Sequence, residues 1–127
     1  MKRASFLIIS LGMAQAAFGQ ASALHRSTLQ ELEFPSPNYH TVTTRAAVDI
    51  GGTVMPHTHP GIEMAYIASG EAELIIRGEP VRHLHQGDSF GIPQGTVHSV
   101  RNTGTGQLIM ISTYVVDRKA PLASPAK

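Results

Sequence analysis

What the chain lacks narrows its function before any motif is considered. It has no cysteine, which excludes disulfides, thiolate metal sites, a cysteine nucleophile and a lipid-anchored N-terminal cysteine. It has no tryptophan, and aromatic residues make up only 6% of its 127 residues. Ten Lys and Arg against 9 Asp and Glu leave a formal net charge of +1 with no basic run, so nothing favours nucleic acid as a partner.

The chain is instead rich in glycine, proline and histidine. Twelve Gly and 8 Pro favour a turn-rich, mostly β fold over a helical bundle. The 42% of hydrophobic and 15% of charged residues are typical of a globular protein, and the length suits one domain. Seven histidines is a high number for this length and gives the first indication of function.

The first 23 residues resemble a secretory signal peptide. Lys2 and Arg3 precede an apolar run, and small residues follow at the spacing that a signal peptidase reads, which predicts cleavage within residues 16–23. The run is shorter than the roughly 20 residues that a membrane-spanning helix needs, so we expect no stable membrane span. We therefore predict a periplasmic or secreted protein; a buried N-terminal helix is the alternative.

Three further segments follow the signal peptide. Residues 24–40 are predicted to form a short N-terminal arm or a single helical turn that ends at proline. Residues 41–116 alternate short β-prone runs with turn residues, which predicts an antiparallel sandwich or barrel. Residues 117–127 are predicted to be a flexible tail. The β-prone runs are Thr41–Val48, Glu63–Ala68, Ala72–Arg77, Val81–Leu84, Ser89–Ile92, Val97–Arg101 and Gln107–Val116. Hairpin turns are expected at Arg77–Pro80 and Asn102–Gly106.

Four candidate metal ligands stand in two separate segments. His57 and His59 are two residues apart, so on an extended strand both imidazoles leave the same face. Glu63 follows across a Pro-Gly turn that can fold its carboxylate back to the same point, and His98 begins a later strand. Three neutral imidazoles and a carboxylate suit one divalent transition metal, namely Mn, Fe, Co, Ni, Cu or Zn. Such a set leaves coordination positions open for water or substrate.

The other histidines are weaker candidates. His83 and His85 are also two residues apart, but no carboxylate follows them and they flank Leu84, the expected inward residue. We therefore expect both imidazoles on the surface. His25 and His40 lie outside these segments and are expected to face solvent.

The two ligand segments resemble the two characteristic motifs of the cupin superfamily. The first is Gly51-x5-His57-x-His59-x3-Glu63-x6-Gly70 and the second is Gly87-x5-Pro93-x-Gly95-x2-His98-x3-Asn102, separated by 16 residues. The resemblance implies an all-β, single-domain cupin β-barrel of the double-stranded β-helix or jelly-roll type, with two antiparallel sheets, over residues 41–116. It also implies that His57, His59, Glu63 and His98 are the metal ligands, and it suggests a homodimer. Shorter stretches are similar to small exported bacterial single-domain cupins.

The resemblance does not select one reaction, because cupins with these ligands include dioxygenases, oxalate-degrading enzymes, isomerases, lyases and sugar-binding proteins. We favour a metal-dependent dioxygenase that acts on a small organic substrate through chelating oxygen atoms, with Glu63 as the catalytic residue that takes the substrate proton. One alternative is a non-catalytic module that binds a carboxylate or a sugar on the metal. Another is a non-redox lyase or isomerase.

The motifs also predict which side chains surround the metal. Val54, Met55, Ile92 and Met110 are candidates for an apolar wall. Met64 and Tyr66 have the opposite parity from Glu63 and should face away from the metal, as packing or interface residues. Asn102 is expected to satisfy backbone groups of the turn that follows it.

Overall fold

The structure is a computed structural model that describes residues 24–33 and 38–127. The predicted signal peptide therefore lies outside the described residues. None of the described residues belongs to a helix, so this part of the chain contains no helix of the length and hydropathy needed to cross a membrane.

The described residues form two five-stranded antiparallel sheets. In chain order the strands are β1 (Leu24–Glu33), β2 (Tyr39–Val48), β3 (Thr53–Thr58), β4 (Gly61–Ser69), β5 (Glu71–Ile76), β6 (Arg82–His85), β7 (Ser89–Ile92), β8 (His98–Asn102), β9 (Leu108–Asp117) and β10 (Ser124–Pro125). The first sheet has the order β1-β2-β9-β4-β7 and the second has the order β10-β3-β8-β5-β6. The predicted fold class, an all-β cupin-type barrel of two antiparallel sheets, is confirmed.

Alternation of side chains along the strands decides which face of each sheet is buried. On β5, Ala72, Leu74 and Ile76 are buried on one face, as the period of two predicts. On β4, Met64 and Tyr66 are 66% and 48% exposed on the outer face, so both point away from the interior, as expected. The hydrophobic core lies between the sheets, where burial of each large aliphatic side chain stabilises the fold by about 1.5–3 kcal/mol.

The prediction that residues 24–40 form an arm or a helical turn is wrong in part, because residues 24–33 form strand β1. This strand pairs with β2 from Leu24 opposite Val48 to Glu33 opposite His40, with one register shift after Thr28. The physical reason is that β2 would otherwise leave a row of backbone groups unpaired at the sheet edge. Leu24 also packs on the hydrophobic core.

The prediction of a flexible tail also differs from the structure, which places the segment after β9 against the barrel. Leu122 packs on a buried cluster that includes Tyr114 and Val116. Strand β10 then pairs with β3, and the Ala126 N–H donates to the Pro56 carbonyl at 3.0 Å. The tail is retained because Leu122 covers apolar surface and β10 satisfies the free edge of β3.

The two predicted turns have different roles. Arg77–Pro80 joins the paired strands β5 and β6 and is a hairpin turn, as predicted. Asn102–Gly106 joins β8 to β9, which belong to different sheets, so the prediction of a hairpin is wrong there. Asn102 stabilises this crossing as expected: its side-chain amide donates to the carbonyls of Val48, Asp49 and Gly106, and its oxygen accepts from the Gly104 N–H.

Candidate metal centre

The structure brings together the four side chains that the sequence assigned to one metal ion. One potential ligand atom from each of His57, His59, Glu63 and His98 lies within 4.8 Å of the others. His59, Glu63 and His98 are buried, with 2%, 6% and 2% exposure, and His57 is partly buried. The two ligand segments therefore meet at one point between the sheets.

The strands explain this convergence. His57 on β3 pairs directly with His98 on β8, so two imidazoles come from neighbouring strands of the second sheet. His59 lies just beyond β3, in the connection to β4, and Glu63 projects inward from β4 in the first sheet. A carboxylate from one sheet thus faces imidazoles carried by, or adjoining, the other.

Two glycines allow the ligand segments to approach each other. Gly61 begins β4 where a Cβ atom would overlap the backbone carbonyl of Val115, so only glycine fits without a shift. Gly95 has a φ of 71°, in the left-handed region, and its N–H donates to the His59 carbonyl at 3.1 Å. This hydrogen bond links the loop before His98 to the His59 backbone.

A backbone carbonyl fixes the orientation of each imidazole. The Nδ1–H groups donate as follows: His57 to Met55 at 2.7 Å, His59 to Leu122 at 2.6 Å and His98 to Thr96 at 3.0 Å. A neutral ring that donates through Nδ1 keeps its lone pair on Nε2. All three rings can therefore present an Nε2 lone pair to the centre, the arrangement that outer hydrogen bonds impose on metal-binding histidines.

The atoms that face each other at the centre are acceptors. The Nε2 atoms of His59 and His98 lie 3.1 Å and 3.2 Å from the same oxygen, Oε2 of Glu63. An ionised carboxylate accepts a hydrogen bond from such a ring only when both ring nitrogens are protonated. With neutral rings, lone pairs oppose one another and a cation between them removes the repulsion.

The pKa values favour the states that ligands need. Burial alone would raise the pKa of Glu63, but His59 and His98 outweigh burial and lower it, because each ring donates to and attracts the carboxylate whenever its Nε2 is protonated. Burial, followed by the nearby charge of His98, lowers the pKa of His57 to about 4. At neutral pH the carboxylate is therefore ionised and the His57 ring is neutral.

The surroundings of one buried atom indicate whether the four candidate ligands suit a metal ion. Nε2 of His59 is buried and has no hydrogen-bond partner in the part of the chain that the structure describes. Leaving such an atom unsatisfied costs about 1–3 kcal/mol. Coordination to a cation would satisfy it, and three imidazole nitrogens with one carboxylate are donors that divalent transition metals accept. The four residues could therefore hold a metal ion.

A small cavity adjoins three of the four residues, His57, Glu63 and His98. Its volume is about 20 Å³, room for about one water molecule. Among its lining residues are Val54 and Met110, which the sequence assigned to an apolar wall. Ile92 is buried in the core but is not among the lining residues, and Met55 is 51% exposed, so the assignment of Met55 to the wall is wrong.

Sequence reasoning missed three polar residues that line this cavity, Arg26, Ser112 and Tyr114. The Tyr114 ring lies 4.8 Å from the His59 ring and is 2% exposed. Burial, with a smaller contribution from the charge of Glu63, raises the pKa of Tyr114 to about 12. Tyr114 has the same parity on β9 as Met110, a signal that could have found it. No such signal existed for Arg26, which lies in the segment taken for an arm.

The remaining histidines lie away from the centre. His83 and His85 have side chains 70% and 67% exposed and flank Leu84, which is 5% exposed, as predicted. His25 is exposed, as expected, whereas His40 is partly buried. In the described part of the chain, these rings do not belong to the group that could hold a metal.

Comparison with known families and proteins gives a consistent result. The profile of the Cupin domain family matches residues 44–114, more than half of the chain. That region contains both ligand segments and excludes β1 and β10.

Two relatives are similar in sequence. Dimethylsulfoniopropionate lyase DddQ of Ruegeria pomeroyi is 42% identical over 45 residues, which cover 35% of this chain and 22% of the lyase. Germin-like protein 11-1 of Oryza sativa subsp. japonica is 34% identical over 80 residues, covering 58% of this chain and 36% of that protein. The chain thus spans well under half of the length of either relative.

Solved structures share the architecture. The crystal structure of DddQ matches with a TM-score of 0.68 and 21% identity, over 82% of this chain and 52% of the lyase. A cupin-like protein of Thermotoga maritima matches with a TM-score of 0.67 and 20% identity, over 88% of this chain and 89% of its own. Oxalate oxidase in complex with glycolate matches with a TM-score of 0.59 and 26% identity, over 66% of this chain and 45% of the oxidase. The first two similarities show a common fold.

Proposed function

The chain belongs to the cupin family, and on that premise we propose that it is a metal-dependent enzyme whose small organic substrate binds through oxygen atoms. The observation that carries the proposal is the convergence of four donor atoms within 4.8 Å, one of them a buried nitrogen without a partner. Most of the donors are buried and the adjoining cavity is small, which favours a small ligand over an extended one.

The chain's own residues have defined tasks in this proposal. His57, His59, Glu63 and His98 would hold one divalent transition metal, which polarises a substrate oxygen and, if it is redox-active, brings dioxygen chemistry. The backbone carbonyls behind the three rings hold each Nε2 in place. Ligand geometry is thereby set before any substrate enters.

Glu63 is the proposed catalytic residue. Its carboxylate is ionised at neutral pH and lies beside the open cavity, so it can accept a proton from a substrate hydroxyl or activated C–H group. Tyr114, with a pKa of about 12, stays protonated at neutral pH. Its hydroxyl can therefore donate a hydrogen bond to a developing negative charge but does not act as a base.

We propose dioxygen-dependent oxidation as the reaction class, and the likeness to oxalate oxidase supports it. The test is oxygen uptake by protein loaded separately with Fe, Mn, Cu or Ni, using small 2-hydroxy and 2-oxo acids, catechols and diketones. Uptake that requires both metal and substrate and is lost in Glu63→Gln is expected. Absence of turnover with every metal would contradict this reaction class.

A non-redox lyase is the second candidate, favoured by the sequence similarity to a dimethylsulfoniopropionate lyase over 45 residues. It predicts product formation with Zn-loaded protein under anaerobic conditions, which the oxidative proposal excludes. A non-catalytic binding module is the third, and it predicts that a carboxylate or sugar bound by the metal-loaded protein is recovered unchanged by mass spectrometry.

We also propose that residues 1–23 direct export, a proposal that rests on the sequence. Amino-terminal sequencing of the protein from the cell envelope or the medium should find a new terminus created by cleavage within residues 16–23. An intact terminus on protein retained inside the cell would contradict it.

A further inference from the structure

A positively charged side chain lies on the inner face of the first sheet, beside the candidate metal centre. Arg26 on β1 is paired with Ala46 on β2, which is 3% exposed and lines the cavity. Leu24, the next residue of the same parity, packs on the hydrophobic core. Alternation along a strand therefore directs Arg26 inward, while its neighbour His25 faces the exposed side.

The Arg26 side chain has no ion-pair partner in the described part of the chain. Its guanidinium makes no hydrogen bond and no ion pair with a described residue, whereas Arg101 is held by the carboxylate of Glu73 at 2.7 Å. Arg26 nevertheless lines the cavity and acts electrostatically on the Tyr114 hydroxyl. Arg26 is itself exposed, so the cavity lining includes a residue that is in contact with solvent.

The local charge balance calls for an anion. A divalent metal and the single carboxylate of Glu63 leave a net charge of +1 at the centre, and Arg26 adds a second positive charge. Most other lining side chains are apolar or aromatic, among them Val54, Phe90 and Val100. In such surroundings, attraction of an anionic ligand is much stronger than in water.

The donors available at the opening suit a carboxylate. A guanidinium presents parallel N–H groups that match the two oxygens of a carboxylate. The hydroxyls of Ser112 and Tyr114 are the uncharged donors that line the cavity in addition to the charged guanidinium of Arg26. A phosphate, with more oxygens and more charge, would leave acceptors unsatisfied.

We propose that Arg26 is the specificity-determining residue of the site and binds the carboxylate of a small organic acid whose other oxygen donor reaches the metal. This inference rests on the proposed function, since the second donor needs a metal at the four ligands. It narrows the substrate class to small carboxylates with a hydroxyl or carbonyl oxygen nearby, and it gives β1 a role in recognition.

The test measures binding to Zn-loaded protein by calorimetry, with glycolate and its uncharged analogue glycolamide as probes. Arg26→Gln should weaken glycolate binding by about tenfold or more, the value of about one hydrogen bond to a charged group. Glycolamide binding should not change. Arg26→Lys keeps the positive charge but loses the parallel N–H groups of the guanidinium, so it should weaken glycolate binding less than Arg26→Gln does. Arg45→Gln, on the exposed side of neighbouring strand β2, is the matched control and should bind glycolate like the parent.

The salt dependence of glycolate binding is a second measurement, and it would not change on substitution if the role of Arg26 were purely structural. Raising ionic strength should weaken glycolate binding more in the parent than in Arg26→Gln, because screening acts on the charge pair. Inorganic phosphate should bind more weakly than glycolate. Equal losses for glycolate and glycolamide, no loss in Arg26→Gln, or tighter binding of phosphate would each overturn the proposal.

Metal content separates this inference from the function on which it rests. Elemental analysis should show the same metal content in the parent, Arg26→Gln and Arg45→Gln. If the parent binds no metal, the proposed function fails. If the parent binds metal but not glycolate, or binds glycolate without dependence on Arg26, the inference alone is overturned.

Discussion

At the scale of single residues, the candidate metal centre depends on which ring nitrogen each histidine turns inward. The three Nδ1–H groups are engaged by backbone carbonyls, and this leaves Nε2 for the centre. His59 is the most dependent of the three, because its Nε2 is buried without a partner. The donor set is therefore oriented by main-chain atoms, which substitutions of neighbouring side chains do not remove.

Replacement of one ligand should be distinguishable from replacement of a surface histidine. His59→Ala removes a candidate metal ligand. It should lower metal affinity by at least about 100-fold, because loss of a residue that only hydrogen-bonds to a ligand can already lower affinity by that factor. His85→Ala, at an exposed ring, should leave metal content unchanged. Elemental analysis after dialysis against a chelator measures both. Equal metal retention by the two variants would contradict the assignment.

The lowered pKa values of His57 and Glu63 predict how the metal-free protein responds to acid. The folded pKa of His57, about 4, lies below its ordinary value of 6.5, so the unfolded chain binds more protons between these values. The contribution of the neutral His57 ring to the free energy of unfolding is fully present above pH 6.5 and is lost as the pH falls towards 4. The lowered pKa of Glu63 acts in the same direction at still lower pH.

Urea unfolding of metal-free protein from pH 7.5 to pH 4 measures this effect. The free energy of unfolding should fall across the window, and His57→Gln, which has no titrating ring at this position, should flatten the upper part of the curve. A free energy of unfolding that rises on acidification would contradict the prediction.

At the scale of elements, the segment after β9 reaches across the barrel to the ligands. Its Leu122 carbonyl holds the His59 ring at 2.6 Å, and β10 pairs with Thr58 and His57 on β3. A segment that looks like a loose end in the sequence thus supports two of the four candidate ligands. Outer contacts of this kind influence metal affinity without touching the metal.

Truncation after Pro121 tests this support. Loss of the Leu122 carbonyl and of β10 should lower metal affinity by about 10–100-fold. Leu122→Ala is the matched control: it keeps the carbonyl and removes only the apolar contact, so it should lower the melting temperature and leave metal affinity nearly unchanged. Calorimetric titration with Zn and a thermal melt separate the two effects. Unchanged affinity in the truncated protein would contradict the role given to this segment.

The elements also show how far the sequence could predict the structure. His57, His59 and Glu63 lie within one short segment, where strand alternation and a Pro-Gly turn act locally, so their convergence was predictable. Arg26 and Leu122 reach the centre only through the pairing of β1 with β2 and of β10 with β3. No local rule states which distant strand pairs with which, so the sequence alone did not reveal either residue.

At the scale of the whole molecule, the outer face of the first sheet carries a row of exposed apolar side chains on β4. Ile62, Met64 and Tyr66 are 47%, 66% and 48% exposed. The homodimer expected from the sequence stays a prediction, and this row is where we expect the second copy to bind, because a contiguous apolar row is unfavourable in water.

Sedimentation velocity over a range of concentrations tests this expectation. The parent protein should sediment as a dimer, and Met64→Glu should shift it towards the monomer. Ile75→Glu, at a 39% exposed position of the second sheet, is the control and should not. A parent that is monomeric at every concentration would contradict the dimer, and a dimer that survives Met64→Glu would contradict the face.

The contact between His59 and Leu122 has a consequence for the order of events during translation. The two residues are separated by 63 positions in the chain, so the ribosome adds all four candidate ligands before it adds the residue whose carbonyl steadies the His59 ring. The four candidate ligands become fully oriented only when the segment that carries Leu122 has been synthesised and has docked on the barrel.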